Sequence, residues 1–301
     1  MKINVGIVGY GNLGKAVEQT LLNEKNINLV CIFSQRKNVV SAFGTPVVLR
    51  NKIKNYKGKI DLLVLCSGSQ NQMLVDAPEL AKNFDIINTF DTHSLIAEQF
   101  VKIDKIARRN NHMAIISCGW DPGIMSIMRA YFFAIQKQYS TTLWGPGTSL
   151  GHSDAVRKID GVKDAISITL PLKTSANLHK RVVFVVCEKQ NKKQIKNQVL
   201  NMPNYFAGQN VKVYFVSQRR FDKIKHFSHA GQVVCDTPAD HLKFECKMQS
   251  NPMFTAKIVV GFVGVFTPLK NKYGNGAFVP LDFSPTDLTG MTRIDAIKKF
   301  C

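Results

Sequence analysis

The chain has no apolar run long enough to span a membrane, and its first strand-like segment begins at Ile3 with no signal peptide before it. With 301 residues, of which 45% are hydrophobic, it is long enough to bury a large core. We therefore expect a cytoplasmic protein, without a membrane partner, that folds into two domains.

Cysteines in a metal-binding or redox spacing are also missing. The seven cysteines are odd in number, form no C-x-x-C motif, and several lie in apolar strand-like segments. This pattern predicts reduced, mostly buried thiols and no structural metal. The cysteines are Cys31, Cys66, Cys118, Cys187, Cys235, Cys246 and Cys301.

Acidic residues are scarce, with 21 Asp and Glu against 40 Lys and Arg, which gives a formal net charge of +19. Such a charge raises the question of a nucleic-acid partner. However, the lysines are scattered, and no aromatic and basic stripe that could stack bases is present. We interpret the charge as a solvated basic surface that modestly favours an anionic cofactor and substrate, and expect no specific nucleic-acid partner.

The amino-terminal segment is the strongest motif that is present. An apolar strand from Ile3 to Val8 leads into a G-x-G-x-x-G turn and a helix-compatible segment from Lys15 to Asn23. This order is typical of a dinucleotide site, because the glycines permit a tight turn, close approach to a pyrophosphate and close helix–strand packing. The predicted cofactor residues of this turn are Gly9, Tyr10, Gly11, Asn12, Leu13 and Gly14.

The end of the second strand, from Ile27 to Phe33, identifies the dinucleotide. An NAD site usually places an acid here for the ribose 2′-hydroxyl, and this chain has none. A hydroxyl with nearby cations suits the 2′-phosphate of NADP instead. The residues concerned are Ser34, Gln35, Arg36 and Lys37.

Strands and helices alternate up to about residue 118, which predicts a Rossmann-type, doubly wound parallel sheet. The strand from Leu62 to Cys66 should end at the next cofactor-facing loop, at the carboxyl edge of the sheet. The predicted cofactor residues there are Cys66, Ser67, Gly68 and Ser69. Further strands are expected at 85–88 and 113–117, with a helix at 96–110 between them.

Beyond residue 118 the pattern changes to strands with few helices. We expect a second α+β domain over 119–269 with a mostly antiparallel sheet, for substrate binding and dimerisation. Residues 270–301, with a strand candidate at 277–283 and a helical tail, are expected to complete the first domain, 1–118. The strand candidates of the second domain are 140–150, 181–187, 210–217, 231–236 and 241–248.

Three segments, 88–93, 118–123 and 144–154, have the residue types of a reaction site. Asp91 and Asp121 each follow a predicted strand and should face the crevice at the carboxyl edge of the sheet. Either aspartate could instead be a turn or helix-cap residue. Both tryptophans of the chain, Trp120 and Trp144, lie in these segments, which favours a functional interpretation.

Taken together, these motifs resemble the meso-diaminopimelate dehydrogenase family over nearly the whole chain. The likeness rests on Gly9–Gly14, Phe33–Arg36, Phe90–His93, Gly119–Gly123, Trp144–Gly147, Gly151–Asp154, Thr169–Pro171, His179–Arg181, Met202–Phe206, His229–Gly231 and Asn251–Pro252. It implies an NADP-dependent homodimer with a Rossmann domain and a substrate-binding domain. The implied reaction is reversible oxidative deamination of meso-2,6-diaminopimelate at its D-centre, giving L-2-amino-6-oxopimelate, ammonia and NADPH.

The same resemblance implies roles for individual residues. Asp91, Trp120 and Asp121 would surround the reacting D-amino carbon as the catalytic group. The remaining substrate contacts implied are Trp144, Leu150, Gly151, Thr169, Arg181, His229 and Asn251. The distant L-centre would be bound by Thr169, Arg181, His229 and Asn251. Arg181 can bind a carboxylate there through two hydrogen-bond donors.

Several points stay open at this stage. The aspartates are expected to bind the ammonium and orient the hydrolytic water, but the proton acceptor is not identified, and His152 and His93 are weak candidates. His229, Thr169 and Asn251 also fit a solvated loop, a plain strand and a turn.

The chain departs from the family pattern at two positions and in one loop. Leu150 stands where relatives carry Gln, which could loosen substrate specificity. Gln35 stands where an Arg is common, which could weaken the preference for NADP. The 169–181 loop is shorter than in several relatives. The alternatives are another NADP-dependent oxidoreductase, such as a dihydrodipicolinate reductase or a broader D-amino-acid dehydrogenase, and a non-catalytic NADP sensor.

Overall fold

A computed structural model of the chain describes residues 2–68, 72–174, 177–203, 205–224 and 228–301. The chain divides into two compact units, each described separately below. The first unit comprises residues 1–130 and 252–301, and the second comprises residues 131–251.

The first unit begins with alternating strands and helices, as predicted. Its elements up to the crossing into the second unit are β1 (Ile3–Val8), α1 (Asn12–Leu21), β2 (Ile27–Ser34), β3 (Val47–Leu49), β4 (Leu62–Leu65), α2 (Gln72–Leu80), β5 (Asp85–Asn88), α3 (Ile96–Arg109), β6 (Met113–Ile115) and α4 (Ile124–Gln136), within which the chain crosses.

The second unit is richer in strands, and the chain then returns to the first unit. The elements of the second unit are β7 (Thr141–Trp144), β8 (Gly147–Thr148), α5 (Leu150–Arg157), β9 (Val162–Thr174), β10 (Asn177–Cys187), α6 (Lys192–Leu200), β11 (Asn210–Phe215), α7 (Gln218–Ile224), β12 (His229–Asp236) and β13 (His241–Met248). The returning elements are α8 (Asn251–Gly264), α9 (Phe266–Tyr273), β14 (Gly276–Phe278), α10 (Pro285–Leu288) and α11 (Arg293–Phe300).

The first unit contains a seven-stranded parallel sheet, in the order β14-β6-β5-β4-β1-β2-β3. Successive residues of its strands enter different apolar cores. Ile7 belongs to one buried cluster and Val8 to another. Burial on both faces is characteristic of parallel strands covered by helices, and the predicted doubly wound sheet is confirmed.

The second unit contains two sheets, in the orders β11-β10-β9-β8 and β13-β12-β7. All of their pairs are antiparallel except β10 with β11. The predicted α+β unit with a mostly antiparallel sheet is therefore confirmed. The continuous strand predicted at 140–150 is wrong, because strand structure is interrupted after Trp144 and α5 begins at Leu150.

The unit boundaries differ from the predicted ones at residues 118 and 270. Helix α8 lies in the first unit, where Val259 and Val263 pack in the same buried cluster as Val5 and Ile7. Because these apolar side chains of α8 are buried in the core of the first sheet, the helix is stabilised by that unit. The return therefore occurs at residue 252, and the departure at residue 130.

Among the described residues, no single helix is long and apolar enough to cross a membrane. Helices α8 and α9 reach the length and apolar composition of a membrane span only when they are taken together. They bend by 57° at the break between them. The described residues also include no group of three or more His, Cys, Asp or Glu side chains placed to hold a metal ion.

All seven cysteines are free thiols, and five of them are buried. Burial raises the pKa of the Cys31 thiol to about 11 and that of the Cys66 thiol to about 12. These two thiols are thus protonated and poorly nucleophilic at neutral pH. Cys66 borders the cofactor cavity described below, where it contributes an apolar wall.

A buried ion pair lies at the amino edge of the first sheet, and we expect its loss to destabilise the fold. Asp85 accepts hydrogen bonds from Lys270 Nζ at 2.6 Å and from the Met113 backbone N–H at 2.8 Å, and lies 3.2 Å from His112 Nδ1. Burial alone would raise the pKa of Asp85, but these partners lower it below its ordinary value.

Asp85→Ala should therefore lower the free energy of unfolding by about 3 kcal/mol, because the partners of a buried carboxylate are left unpaired. Urea titration at pH 7 measures this, with the exposed Asp160→Ala as a matched control. Since the folded pKa is depressed, the difference should be present at neutral pH and shrink as the pH falls through the folded pKa of Asp85. An equal loss in both variants would contradict the assignment.

Candidate active site

A cavity of about 340 Å³ opens at the carboxyl edge of the first sheet. It is formed where the turns after β1, β2 and β4 meet, which is the ligand position of an open parallel sheet. Its lining residues are Val8, Gly9, Tyr10, Gly11, Phe33, Ser34, Gln35, Arg36, Arg50, Cys66, Ser67, Gly68, Gln72 and Asp76.

The three glycines of the first turn each meet a different steric demand. Gly9 has a φ of +93°, and a Cβ there would lie 2.9 Å from the Ser67 backbone nitrogen. A Cβ at Gly14 would lie 2.3 Å from the Gly9 carbonyl oxygen, so this glycine lets α1 pack against the turn. A Cβ at Gly11 would meet nothing within 4 Å. Gly11 therefore leaves open space beside the backbone where a pyrophosphate can approach.

Helix α1 begins immediately after this open space. Gly11 is its N-cap, with extended backbone, and none of the described side chains accepts a hydrogen bond from its first turn. The first N–H groups of the helix thus remain available to a phosphate, and the helix dipole favours negative charge at this end.

The turn after β2 places a hydroxyl and a guanidinium at the cavity wall. The Ser34 hydroxyl accepts a hydrogen bond from the Arg36 backbone N–H at 3.1 Å, and Arg36 Nη2 donates to the Tyr10 carbonyl oxygen at 2.9 Å. No acid occurs between Ser34 and Ile60. The residues present therefore fit the 2′-phosphate of NADP better than the 2′-hydroxyl of NAD.

Most of the predicted cofactor residues line this one cavity, and the others flank it. Asn12, Leu13 and Gly14 lie in the first turn of α1, and Lys37 follows the β2 turn as an exposed residue. Ser69 lies outside the described residues. Five lining residues were not among the predicted ones: Val8, Phe33, Arg50, Gln72 and Asp76. Val8 and Phe33 end the strands that precede the predicted turns, whereas Arg50, Gln72 and Asp76 lie outside the glycine and β2 motifs, which therefore did not point to them.

The loops that carry the predicted catalytic aspartates are joined to each other at the same sheet edge. Asn88 Oδ1 accepts hydrogen bonds from the backbone N–H groups of Phe90 and Ser117, each at 3.1 Å, and the Asn88 carbonyl accepts from Cys118 N–H at 2.8 Å. Asn88, which sequence analysis did not single out, thereby fixes the loop of Asp91 against the loop of Asp121.

Asp121 is almost completely buried, with a side chain that is 1% exposed, and it is paired with Arg129 Nη2 at 2.6 Å. Trp120 beside it is also buried, whereas Asp91 is exposed. The backbone around these residues is tight, since a Cβ at Gly123 would lie 1.8 Å from the Gly119 carbonyl oxygen. The structure therefore holds Asp121 in one place and leaves Asp91 accessible.

The second unit contains a half-buried cation without an acidic partner among the described residues. Arg181 on β10 donates from Nη1 to Thr169 Oγ1 and from Nε to Gln209 Oε1, both at 2.6 Å. The β9–β10 register places Thr169 directly opposite Arg181. Burial lowers the pKa of Arg181 to about 10, so the guanidinium is still charged at neutral pH. A partly desolvated cation in this position favours an anionic ligand.

Trp144 and His179 pack against each other near Arg181. The Trp144 backbone N–H donates to His179 Nε2 at 2.8 Å, and the two rings lie 4.8 Å apart at 33°. Because Nε2 accepts, the ring proton of neutral His179 is on Nδ1. Burial and the charge of Arg181 lower the pKa of His179 to about 4. The family resemblance includes His179 but implies no role for it.

The predicted pair His229 and Asn251 is in contact, with Asn251 Nδ2 lying 3.3 Å from His229 Nε2. Burial lowers the pKa of His229 to about 4, so its ring is neutral and can exchange hydrogen bonds with uncharged groups. A Cβ at Gly147 would lie 2.7 Å from the His229 Cα, which explains the glycine in that strand.

The remaining predicted substrate contacts, Leu150 and Gly151, form the first turn of α5. His152, a weak candidate for the proton acceptor, follows them. Its Nε2 lies 2.9 Å from the Tyr205 carbonyl oxygen and its Nδ1 lies 2.8 Å from Ser149 Oγ. Since a carbonyl only accepts, Nε2 carries the proton and both ring nitrogens are occupied. His152 therefore stabilises the α5 turn.

These buried histidines predict a loss of stability at acid pH. Burial, with Arg181 as a further cause for His152, lowers the pKa of His152 and His229 to about 4, below the ordinary 6.5. Between pH 4 and pH 6.5 the unfolded chain therefore binds more protons than the folded chain. The free energy of unfolding should therefore be highest above pH 6.5 and fall by about 1.4 kcal/mol per pH unit for each group below it.

Urea titrations at pH 7, 6, 5 and 4.5 measure this dependence, and His229→Gln should reduce the slope by about one proton. Stability that stays constant down to pH 4.5 would contradict the assignment.

The matching family model is the diaminopimelic acid dehydrogenase C-terminal domain, over residues 119–250. A meso-diaminopimelate D-dehydrogenase of Acetivibrio thermocellus is 35% identical, with 96% of this chain and 94% of that protein covered. The crystal structure of C. glutamicum DAP dehydrogenase in complex with DAP is similar with a TM-score of 0.91 and 33% identity, over 100% of this chain and 99% of that one. The crystal structure of an engineered D-amino acid dehydrogenase bound to NADP⁺ is similar with a TM-score of 0.88 and 32% identity, over 100% of both chains.

Proposed function

Because the chain belongs to the meso-diaminopimelate D-dehydrogenase family, we propose that it oxidatively deaminates meso-2,6-diaminopimelate at its D-centre with NADP. The products are L-2-amino-6-oxopimelate, ammonia and NADPH, and the reaction is reversible. A relative of 33% identity is known in complex with DAP, and another of 32% identity binds NADP⁺.

The observation that carries this proposal is the Arg181 guanidinium. It is half-buried, remains charged at neutral pH and donates to Thr169 at 2.6 Å, yet no acid among the described residues pairs with it. A substrate carboxylate supplies the missing anion and can accept two parallel hydrogen bonds from such a fork. Asn251 and His229 add neutral hydrogen-bonding groups for the L-centre.

NADP supplies the acceptor for the hydride that leaves the substrate carbon. Gly9, Gly11 and the first turn of α1 would hold its pyrophosphate, and Ser34 and Arg36 would bind its 2′-phosphate. The protein contributes position and charge rather than covalent chemistry.

The D-centre of the substrate is bound by Asp91, Trp120 and Asp121. The two carboxylates bind the amino group, which must lose its proton before the carbon–hydrogen bond breaks. After hydride departure the carbon–nitrogen bond is an imine, and a water oriented by a carboxylate adds to its carbon. Collapse of that adduct releases ammonia and leaves the oxo group. Trp120, being buried, closes one side of the reacting carbon to other waters.

We further propose that the protein acts as a cytoplasmic homodimer and has no membrane or nucleic-acid partner. The second unit exposes several large apolar side chains around the end of α4, including Ile135 at 63% and Tyr139 at 85% exposure. Exposed apolar groups of this size commonly mark a protein interface. Light scattering after gel filtration should give twice the 33.7 kDa chain mass. The mass of a single chain would reject the dimer.

The deciding experiment follows NADPH formation with meso-, LL- and DD-diaminopimelate supplied separately, with NAD in parallel. Turnover that strongly favours the meso isomer and NADP is expected. Simple D-amino acids such as D-lysine belong in the same series, because Leu150 replaces a glutamine of relatives at the substrate site. Equal turnover of those amino acids would favour a broader D-amino-acid dehydrogenase. No turnover by a folded protein that binds NADPH would reject the activity and leave a sensor.

A further inference from the structure

The cofactor cavity contains a second guanidinium, that of Arg50, whose position is fixed by a buried acid. Arg50 follows β3 as the first residue of a 3₁₀ helix, Arg50–Tyr56, and its side chain is 13% exposed. Its Nη2 lies 3.1 Å from Oδ1 of Asp76, whose side chain is 6% exposed. Ile53 of the same helix is buried in the core, so the backbone that carries Arg50 is also held in place.

Asp76 is itself oriented by two further donors. Gln72 Nε2 donates to Asp76 Oδ1 at 3.0 Å, and Ser67 Oγ donates to Oδ2 at 3.4 Å. Arg50, Gln72, Ser67 and Asp76 all line the cofactor cavity. Arg50 Nε has no partner among the described residues, so the ion pair with Asp76 is the interaction that sets the guanidinium plane.

The charge around Arg50 is already compensated. Asp76 lies at 3.1 Å, and Glu79 Oε2 lies 3.9 Å from the same Nη2. Arg36 differs in this respect, because no acid among the described residues is within ion-pair distance of it, and its Nη2 donates to the Tyr10 carbonyl oxygen. The 2′-phosphate is therefore attracted to Arg36, whereas Arg50 offers a neutralised planar surface.

We propose that Arg50 binds the adenine ring of NADP by packing its guanidinium plane, fixed by Asp76, against the face of the base. A guanidinium stacks well on aromatic rings and loses little entropy when it is already immobilised. Adenine is present in NADP and NAD alike, so Arg50 contributes affinity for both cofactors, and Arg36 with Ser34 discriminates between them. This inference rests on the proposed NADP site.

Binding of NADPH, NADH and 5′-AMP to the intact protein, followed by calorimetry without substrate, tests the proposal. Arg50→Met should raise the Kd of all three ligands by the same factor, about tenfold. Arg50→Lys keeps the charge but not the plane and should not restore binding. Arg36→Met should raise the Kd of NADPH much more than that of NADH or 5′-AMP. Lys52→Met, an exposed cation of the same 3₁₀ helix, should leave all three unchanged.

Removing Arg50 alone leaves Asp76 buried without its cation, so the double variant Arg50→Met/Asp76→Leu serves as the second test. It should be folded by circular dichroism and show the same equal loss of affinity. A loss confined to NADPH would overturn the proposal and assign Arg50 to the 2′-phosphate. Unchanged Kd values in both variants would show that Arg50 is only structural. If the wild-type protein bound no NADPH, the proposed function and this inference would both fail.

Discussion

Arg181→Met is expected to lower kcat/KM for meso-diaminopimelate by about two to three orders of magnitude, mainly through a higher KM. The variant removes the only partner that we assign to the distal carboxylate charge, and a lost charge pair in a desolvated site costs about 3–5 kcal/mol. The fold should tolerate the change, because the Arg181 guanidinium donates to the neutral groups of Thr169 and Gln209.

Initial rates over a range of substrate concentrations separate KM from kcat, and NADPH binding serves as an internal control that should not change. Lys212→Met provides a matched control, since Lys212 is an exposed cation on β11 of the same sheet. Thr169→Val should cause a smaller loss, because it removes one neutral hydrogen bond to the guanidinium. An unchanged KM in Arg181→Met would mean that the distal carboxylate is bound elsewhere.

The strand, turn and helix of the glycine motif could be predicted from the sequence because their demands are local. A strand, three glycines at fixed spacing and a helix occupy 19 consecutive residues. Gly9 and Gly14 meet steric limits at the Ser67 backbone and within the turn, and Gly11 leaves open space beside the backbone. The absence of an acid after β2 is equally local. For the same reason β1, β5 and β13 have the predicted limits.

Contacts between distant segments were not predictable in this way. Strand β9 was not predicted, because Lys163, Asp164 and Pro171 interrupt its apolar pattern, and it is stabilised by pairing with β10. Asp76 reaches Arg50 from a different helix, 26 positions away. Helix α8 was assigned to the wrong domain, because its apolar composition does not reveal which core it enters. Each of these depends on tertiary packing that a single sequence does not encode locally.

Asp121→Asn is expected to lower kcat by about two to three orders of magnitude while the Kd of NADPH stays constant. Asp121 is buried, and its single negative charge is positioned by Arg129 at 2.6 Å. Asparagine keeps the size and the hydrogen-bonding shape of the side chain, so the loss reports the charge that binds the amino group and orients the water. Effects of this size are typical when one preorganised electrostatic group is removed. Asp91→Asn should also reduce kcat, but by less, because exposed Asp91 is better screened by solvent.

Arg129 decides whether Asp121 acts through its charge or only fills space. Arg129→Met removes the cation but not the carboxylate, so Asp121 loses its orientation and should bind the amino group in more than one geometry. We expect kcat to fall by about tenfold, and Arg129→Lys to recover part of it, since a lysine restores the charge without the planar guanidinium. If Asp121 were only a structural partner of Arg129, both variants would lose stability and kcat in proportion. In that case Asp121→Asn would behave like Arg129→Met, and the carboxylate that binds the amino group would have to be Asp91 alone.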